Sequence, residues 1–157
     1  MHTNTVPATV PTYTHPIRIY WEDTDAGSIV YYANYLKFFE RARSEWLRHL
    51  GVEQGTLLSN DGCMFVVSEA SVKYHRPARI DDLLNITIHI KQLGQASITL
   101  LQTAWIQTEL GSNAMPTMAC QGTVRLACVR QLDMRPSKIP QHIAELLADV
   151  QSNKQTT

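Results

Sequence analysis

Apolar residues return at helical spacing between Asn34 and Leu50, then at every second position through most of Val66 to Arg130. That change of period, from helix to a succession of strands, restricts the fold more than any other feature of the chain. Tyr35, Phe38, Phe39, Ala42, Trp46 and Leu50 share one broad helical face, and Lys37, Arg41, Ser44, Glu45 and Arg48 occupy most of the rest. Asn34 is placed to cap the start, Gly51 to end the helix in a left-handed turn, and Arg41 and Glu45 to pair across one turn. The rod is about 25 Å long, enough to fill the concave face of a sheet.

The strand pattern is equally direct. Val66, Ser68, Ala70, Val72 and Tyr74 alternate with Glu69, Ser71 and Lys73 until Pro77. Leu84, Ile86, Ile88 and Ile90 alternate with Asn85, Thr87, His89 and Lys91. Leu93-Gly94-Gln95 reads as a hairpin turn into Ala96 to Gln107, Glu109 to Asn113 turns again, and Met115 to Arg130 is a long last strand. An earlier strand, His15 to Trp21, precedes the helix, with Ile17, Ile19 and Trp21 on one side. A short helix over Val52 to Ser59, closed by Asn60-Asp61-Gly62, and a final helical segment over Ile143 to Val150 complete the pattern. The class predicted is α+β, a helix on a five-stranded, mostly antiparallel sheet. One long helix cannot cover both faces of such a sheet, so either one face is solvated or strands pair with another subunit.

At 157 residues the chain reads as one domain over 15–150, with loose tails at 1–14 and 151–157. Lys plus Arg balances Asp plus Glu at 14 each, which disfavours a nucleic-acid binder and leaves little repulsion between copies. Cys63, Cys120 and Cys128 form neither a disulfide framework nor a zinc spacing, and fit a reducing cytoplasm. Met1 to Thr14 carries no basic region followed by an apolar run, and no stretch approaches the roughly 20 apolar residues of a membrane span.

The chemistry concentrates in Glu22-Asp23-Thr24-Asp25-Ala26-Gly27-Ser28-Ile29-Val30, between the first strand and the long helix. Clustered carboxylates repel, so a site is the usual reason to keep them, and Gly27 gives the backbone freedom beside them. An isolated Asp near Gly more often caps a turn. Here the cluster leads into a helix start, whose outward N–H groups form a ready oxyanion site at Tyr32 and Ala33.

Asp-Thr-Asp-Ala-Gly-x-Ile-Val-Tyr-Tyr-x-Asn-Tyr, followed by Phe-Phe-Glu-x-Ala-Arg, resembles the hotdog-fold acyl-CoA thioesterases of the 4-hydroxybenzoyl-CoA thioesterase-like branch. Within that branch the likeness is greatest to the Tol–Pal-associated acyl-CoA thioesterases. Tyr74 to Leu84, Tyr-His-Arg-Pro-Ala-Arg-Ile-Asp-Asp-Leu-Leu, matches a second segment, and the resemblance spans roughly 15–140. It implies a central helix wrapped by a five-stranded antiparallel sheet, and sheets joined edge to edge in a dimer or a tetramer. It also implies a catalytic carboxylate at Asp25, as nucleophile or as general base to water, and a carbonyl-binding N–H at Tyr32. Glu22 and Asp23 are assigned structural roles. The implied reaction is hydrolysis of an acyl-CoA, or of an acyl thioester on a carrier protein, with no cofactor beyond the coenzyme A of the substrate.

For the phosphates of coenzyme A the candidates are Arg76, Arg79, Lys91, Arg130, Arg135 and Lys138. Lys91 and Arg130 stand first, as strand-terminal cations, with Gly27 and Ser97 as further substrate contacts. The six histidines show no metal-binding spacing, and neither a serine-hydrolase elbow nor a phosphate-binding loop occurs. A hotdog dehydratase would need a His on the long helix, and Tyr31 to Arg48 contains none. A non-catalytic acyl-thioester-binding module remains the competing class; it would keep the groove without needing Asp25.

Overall fold

The helical stripe folds as α1, Asn34–His49, in a computed structural model that describes residues 10–108 and 113–153. Phe38, Phe39, Ala42 and Trp46 are sealed from solvent along it. Gly51 follows with φ +85°, the left-handed turn expected there. Glu45 pairs with Arg48 on the last turn and not with Arg41, since the i,i+3 reach also places Arg48 beside the negative helix end. A second helix, α2, spans Gln54–Asp61 and ends on a left-handed Gly62, two residues later than expected at each end. The last helix, α3, is Gln141–Ser152, with Ile143 and Leu147 buried.

Among the described residues, five strands form a single sheet in the order β1-β3-β4-β5-β2. They are β1 Tyr13–Arg18, β2 Cys63–Tyr74, β3 Leu83–Leu93, β4 Ser97–Ile106 and β5 Thr117–Arg130, and every pairing is antiparallel. The Leu93–Gln95 turn is as expected, closed by Gly94 N–H on the Ser97 carbonyl at 2.8 Å. The expected turn at Glu109 to Asn113 lies largely outside the described residues. The first strand corrects the sequence reading at both ends. It begins at Tyr13, which pairs with Ile88, and it stops at Arg18. Trp21 instead opens a 3₁₀ turn, Trp21–Asp23, and stands 76% exposed. Asp23 causes the break, because its Oδ2 accepts the Tyr20 N–H at 2.8 Å and bends the backbone out of the ladder.

Hydrophobic alternation sets which face of the sheet receives α1. Ile88, Gln102, Gly122 and Val72 are in register across four strands. In the middle of that row Gly122 leaves the gap that the Phe39 ring enters. Gln102, fully buried beside it, accepts a hydrogen bond from Arg43 Nη1 at 2.9 Å and donates Nε2 to the Phe39 carbonyl at 3.0 Å. Helix and sheet are thereby held by a polar pin inside an apolar contact. The inner strands β4 and β5 are mostly buried, whereas β2 is an edge strand exposed over much of its outer half. The three cysteines are free and buried. Among the described residues, no helix is long and apolar enough to cross a membrane.

Candidate active site

The loop after β1 is fastened to the sheet before it turns. Fully buried Ile19 donates its N–H to the Asp82 carbonyl at 2.9 Å and accepts from Asp81 N–H at 3.0 Å. Asp23 holds the loop together as its assigned structural role requires. Besides capping Tyr20, its carbonyl accepts the Tyr31 N–H at 3.0 Å and Asn34 Nδ2 at 2.9 Å. Asn34 therefore does not cap the helix; Ala33 stands at the cap position. The Asn34 N–H already closes on the Tyr31 carbonyl at 2.9 Å, so its side chain is free to turn back to the loop.

Asp25 sits in a tight turn. Its N–H donates to Ile29 O at 3.0 Å, and its carbonyl accepts the Ser28 N–H at 2.9 Å, with Ser28 at φ +59°. Asp25 Oδ1 accepts the Gly27 N–H at 2.8 Å. A Cβ on Gly27 would lie 3.1 Å from that oxygen, which is why a glycine suits the position. The side chain is exposed, and Oδ2 has no partner among the described residues. The end of the loop is stitched to the segment after β2, by Val30 N–H on the Ala78 carbonyl at 2.9 Å and a bridge between Ile29 and Arg79.

Between these two segments lies a groove of about 280 Å³, with Ile29, Val30, Tyr32, Tyr35, Tyr74 and Arg76 in its wall. Tyr32 and Ala33 occupy the helix start that borders it, and their N–H groups have no acceptor among the described residues. Tyr74 donates its hydroxyl to the Tyr32 carbonyl at 3.0 Å, and the Tyr35 hydroxyl accepts the Ala78 N–H at 3.4 Å. Burial pushes the Tyr35 phenol up to about 12, so it stays neutral. Among the described residues, no group of three or more His, Cys, Asp or Glu side chains is arranged to hold a metal ion.

The other expected substrate contacts lie elsewhere in the chain. β3 begins at Leu83 beside the loop and runs away from it, so Lys91 is on the order of 25 Å from that end. Ser97 opens β4 at the same far end, and Arg130 closes β5 there. Lys91 lies within β3 beside a bulge rather than in the turn, since the strand continues to Leu93. Arg130 grips Asp133 through Nε at 3.3 Å and Nη2 at 2.8 Å. The Arg135 backbone N–H, then Arg130, holds the Asp133 carboxyl below its ordinary range. Within one chain, Asp25 and Gly27 share one turn and Tyr32 and Ala33 share the helix start that follows it, whereas Lys91, Ser97 and Arg130 stand at the far end of the sheet. Arg76 and Arg79, placed lower among the candidates, are the cations at the groove end. Sequence reasoning passed over Tyr74; its signal was an aromatic ending an alternating strand immediately before His-Arg-Pro.

A helix laid across a five-stranded antiparallel sheet, with its N-terminus opening on a groove beside an acidic loop, is the architecture of the hotdog thioesterases. The thioesterase superfamily profile matches residues 27–111, beginning two residues after Asp25. The acyl-CoA thioester hydrolase YbgC of Escherichia coli O6:H1 is 39% identical over 128 residues, 82% of this chain and 90% of that protein. A probable thioesterase from Bartonella henselae is 34% identical with a TM-score of 0.71, over 82% of this chain and 98% of that one. A Staphylococcus aureus protein solved in complex with CoA, 17% identical, shares the fold at a TM-score of 0.82 over 98% and 91% of the two chains. The chain belongs to the thioesterase superfamily, the class of enzymes that hydrolyse thioesters, and within it to the YbgC-like members.

Proposed function

We propose that the chain hydrolyses acyl-CoA to the free carboxylic acid and CoA, with Asp25 as the catalytic carboxylate and the helix-start amides of Tyr32 and Ala33 as the oxyanion site. The observation that carries this reading is an exposed Asp25 carboxylate oxygen and two helix-start N–H groups, all without partners among the described residues, in the one loop whose later residues Ile29, Val30 and Tyr32 line the groove. A thioester carbonyl seated against those amides would gain charge stabilisation as its oxygen becomes anionic. Asp25 then either attacks the carbonyl carbon, giving an acyl-enzyme anhydride that water cleaves, or removes a proton from the attacking water. In both routes the CoA thiolate leaves, takes up a proton, and one water is consumed per acid released.

The same reading extends to the setting of the reaction. The exposed β2 edge supports a homodimer or a homotetramer with the groove completed between subunits. Lys91, Ser97 and Arg130 would reach the substrate only from a neighbouring subunit. Three free buried cysteines fit the cytoplasm, and the thioester can be carried by CoA or by an acyl carrier protein. No cofactor is required by the route.

The test is hydrolysis of acyl-CoA substrates of graded chain length by wild type and Asp25→Asn. Loss of the carboxylate should cost about 10²–10⁴ in kcat with binding largely kept. Glu22→Gln, an exposed carboxylate in the same run, is the control. Asp23→Asn is unsuitable because the Asp23 side chain holds the loop. A wild type that binds acyl-CoA but hydrolyses none would establish the binding-module class instead.

A further inference from the structure

The Tyr32 carbonyl stands outside the helical ladder. The Leu36 N–H, which would meet it in a helix begun one residue earlier, closes on the Ala33 carbonyl at 3.2 Å. The Tyr32 oxygen instead accepts the Tyr74 hydroxyl at 3.0 Å, from a residue 42 positions away on the edge strand. A trans peptide is planar, with its C=O and N–H pointing opposite ways, so fixing the Tyr32 carbonyl fixes the direction of the Ala33 N–H. The preceding peptide is held as well, because the Tyr31 carbonyl accepts the Asn34 N–H at 2.9 Å. Both peptides flanking the Tyr32 Cα are clamped, and with them the two amides that border the groove.

Tyr74 is built to hold its place. It is the last residue of β2, opposite Cys120, and the next two N–H groups, of His75 and Arg76, both close on the Ala119 carbonyl at 2.8 and 3.1 Å. Its ring sits edge-on to Tyr32 at 6.0 Å and tilted to Tyr35 at 5.7 Å. Partial burial, then Cys120 and Tyr32, raises its pKa above the ordinary phenol value, so the hydroxyl remains a donor.

We propose that Tyr74 is a positioning residue for thioester hydrolysis: its hydroxyl, carried on the end of β2, holds the Tyr32–Ala33 peptide so that the amide faces the developing oxyanion. This rests on the proposed function above, in which those amides receive the carbonyl oxygen. It ties the geometry of the site to the edge strand, since movement of the β2 end moves the amide. Tyr74→Phe removes the donor and keeps the ring packed between its aromatic neighbours. Misaligned rather than deleted, the amide should cost about 10- to 100-fold in kcat, with KM changed by less than about twofold. A second readout is the infrared carbonyl stretch of a bound ketone analogue, in which CH₂ replaces the thioester sulfur and the carbonyl is ¹³C-labelled. Wild type should lower that frequency, and Tyr74→Phe should return it toward the value in water. If Tyr74→Phe folds poorly, O-methyltyrosine at position 74 keeps the shape and oxygen but cannot donate, and should lose rate in the same way. A donor-free variant that keeps kcat within about twofold and leaves the carbonyl stretch unchanged overturns the inference. Asp25→Asn assayed alongside separates the two failures. If Asp25→Asn is inactive while Tyr74→Phe is not impaired, only the role of Tyr74 falls; if Asp25→Asn keeps its rate, the proposed function falls first.

Discussion

Gly122→Ala tests the central packing contact of the fold. An ideal Cβ there would lie 3.0 Å from Phe39 Cε2, 3.1 Å from Val72 Cγ2 and 3.2 Å from the Ser71 carbonyl oxygen. Non-bonded carbons prefer about 3.5–4.0 Å, so the neighbours must each retreat by roughly half an ångström. Room for that is scarce, because Phe39 is fully buried and the Ser71 oxygen belongs to the backbone of a paired strand. Overpacking of this kind costs about 1–3 kcal/mol. The gain from replacing a strand glycine by alanine offsets about 0.5–1 kcal/mol. The net expectation is about 1–2 kcal/mol of destabilisation, or a Tm lower by roughly 2–8 °C for a chain of this size. Thermal and urea unfolding followed by circular dichroism should agree, with the urea slope unchanged. A Tm equal to or above wild type would show that α1 rides higher over the sheet than the contacts at Gly122 require.

Three further outcomes follow from other contacts. Gly51→Ala should lower stability by about 1 kcal/mol in urea unfolding, because φ +85° is strained for any side chain although the space around it is open. Gln102→Leu should cost about 2–4 kcal/mol by the same measurement, since it strips the buried Arg43 guanidinium and the Phe39 carbonyl of their partner at once. Burial raises the Tyr35 phenol to about 12, above its unfolded value, so its contribution is complete below about pH 10 and disappears as pH rises through 12. In Tyr35→Phe the fall of Tm with pH across that window should be shallower, whatever the baseline lost with the Ala78 contact.

The elements most legible in the sequence are those whose side chains answer to a single periodicity. The α1 stripe and the Leu84–Ile90 alternation each face one buried surface, and both fold as read. The strand end at Arg18 was illegible for a physical reason. Apolar alternation continues through Ile19 to Trp21, while the break is made by one hydrogen bond from the Tyr20 N–H to the Asp23 side chain that no hydropathy pattern encodes. Asn34 was misread similarly, because an Asn that caps a helix and an Asn one residue inside it look alike until the Tyr31 carbonyl is seen to start the turn. The roles proposed for Asp25 and the Tyr32–Ala33 amides rest on their closeness in sequence and on the helix start that follows the loop. The cations were harder. Strand-terminal Lys91 and Arg130 are equivalent in the sequence to Arg76 and Arg79, and antiparallel register alone decides which end of the sheet each one reaches.

The polarity of α1 accounts for the position of the site. Its C-terminal end is occupied: Leu50, Gly51 and Val52 each donate an N–H back to the last turn at 2.8–3.1 Å, and Arg48 and His49 answer the negative end of the dipole. At the N-terminal end no such closure forms. Asp23, Asn34 and Tyr74 there bind carbonyls and neighbouring amides, not the N–H groups of Tyr32 and Ala33. A carboxylate cap on those N–H groups would have satisfied the helix and filled the proposed oxyanion position. Asp25 does not do so in this structure: its Oδ1 accepts the Gly27 N–H within its own turn. The helix start is thus left open by two restraints acting together. The 25–29 turn fixes the Asp25 backbone and one of its carboxylate oxygens, and the edge strand holds the Tyr32–Ala33 peptide in place. On the proposed function, loosening either restraint should misplace the amides or the carboxylate against the substrate carbonyl and lower kcat.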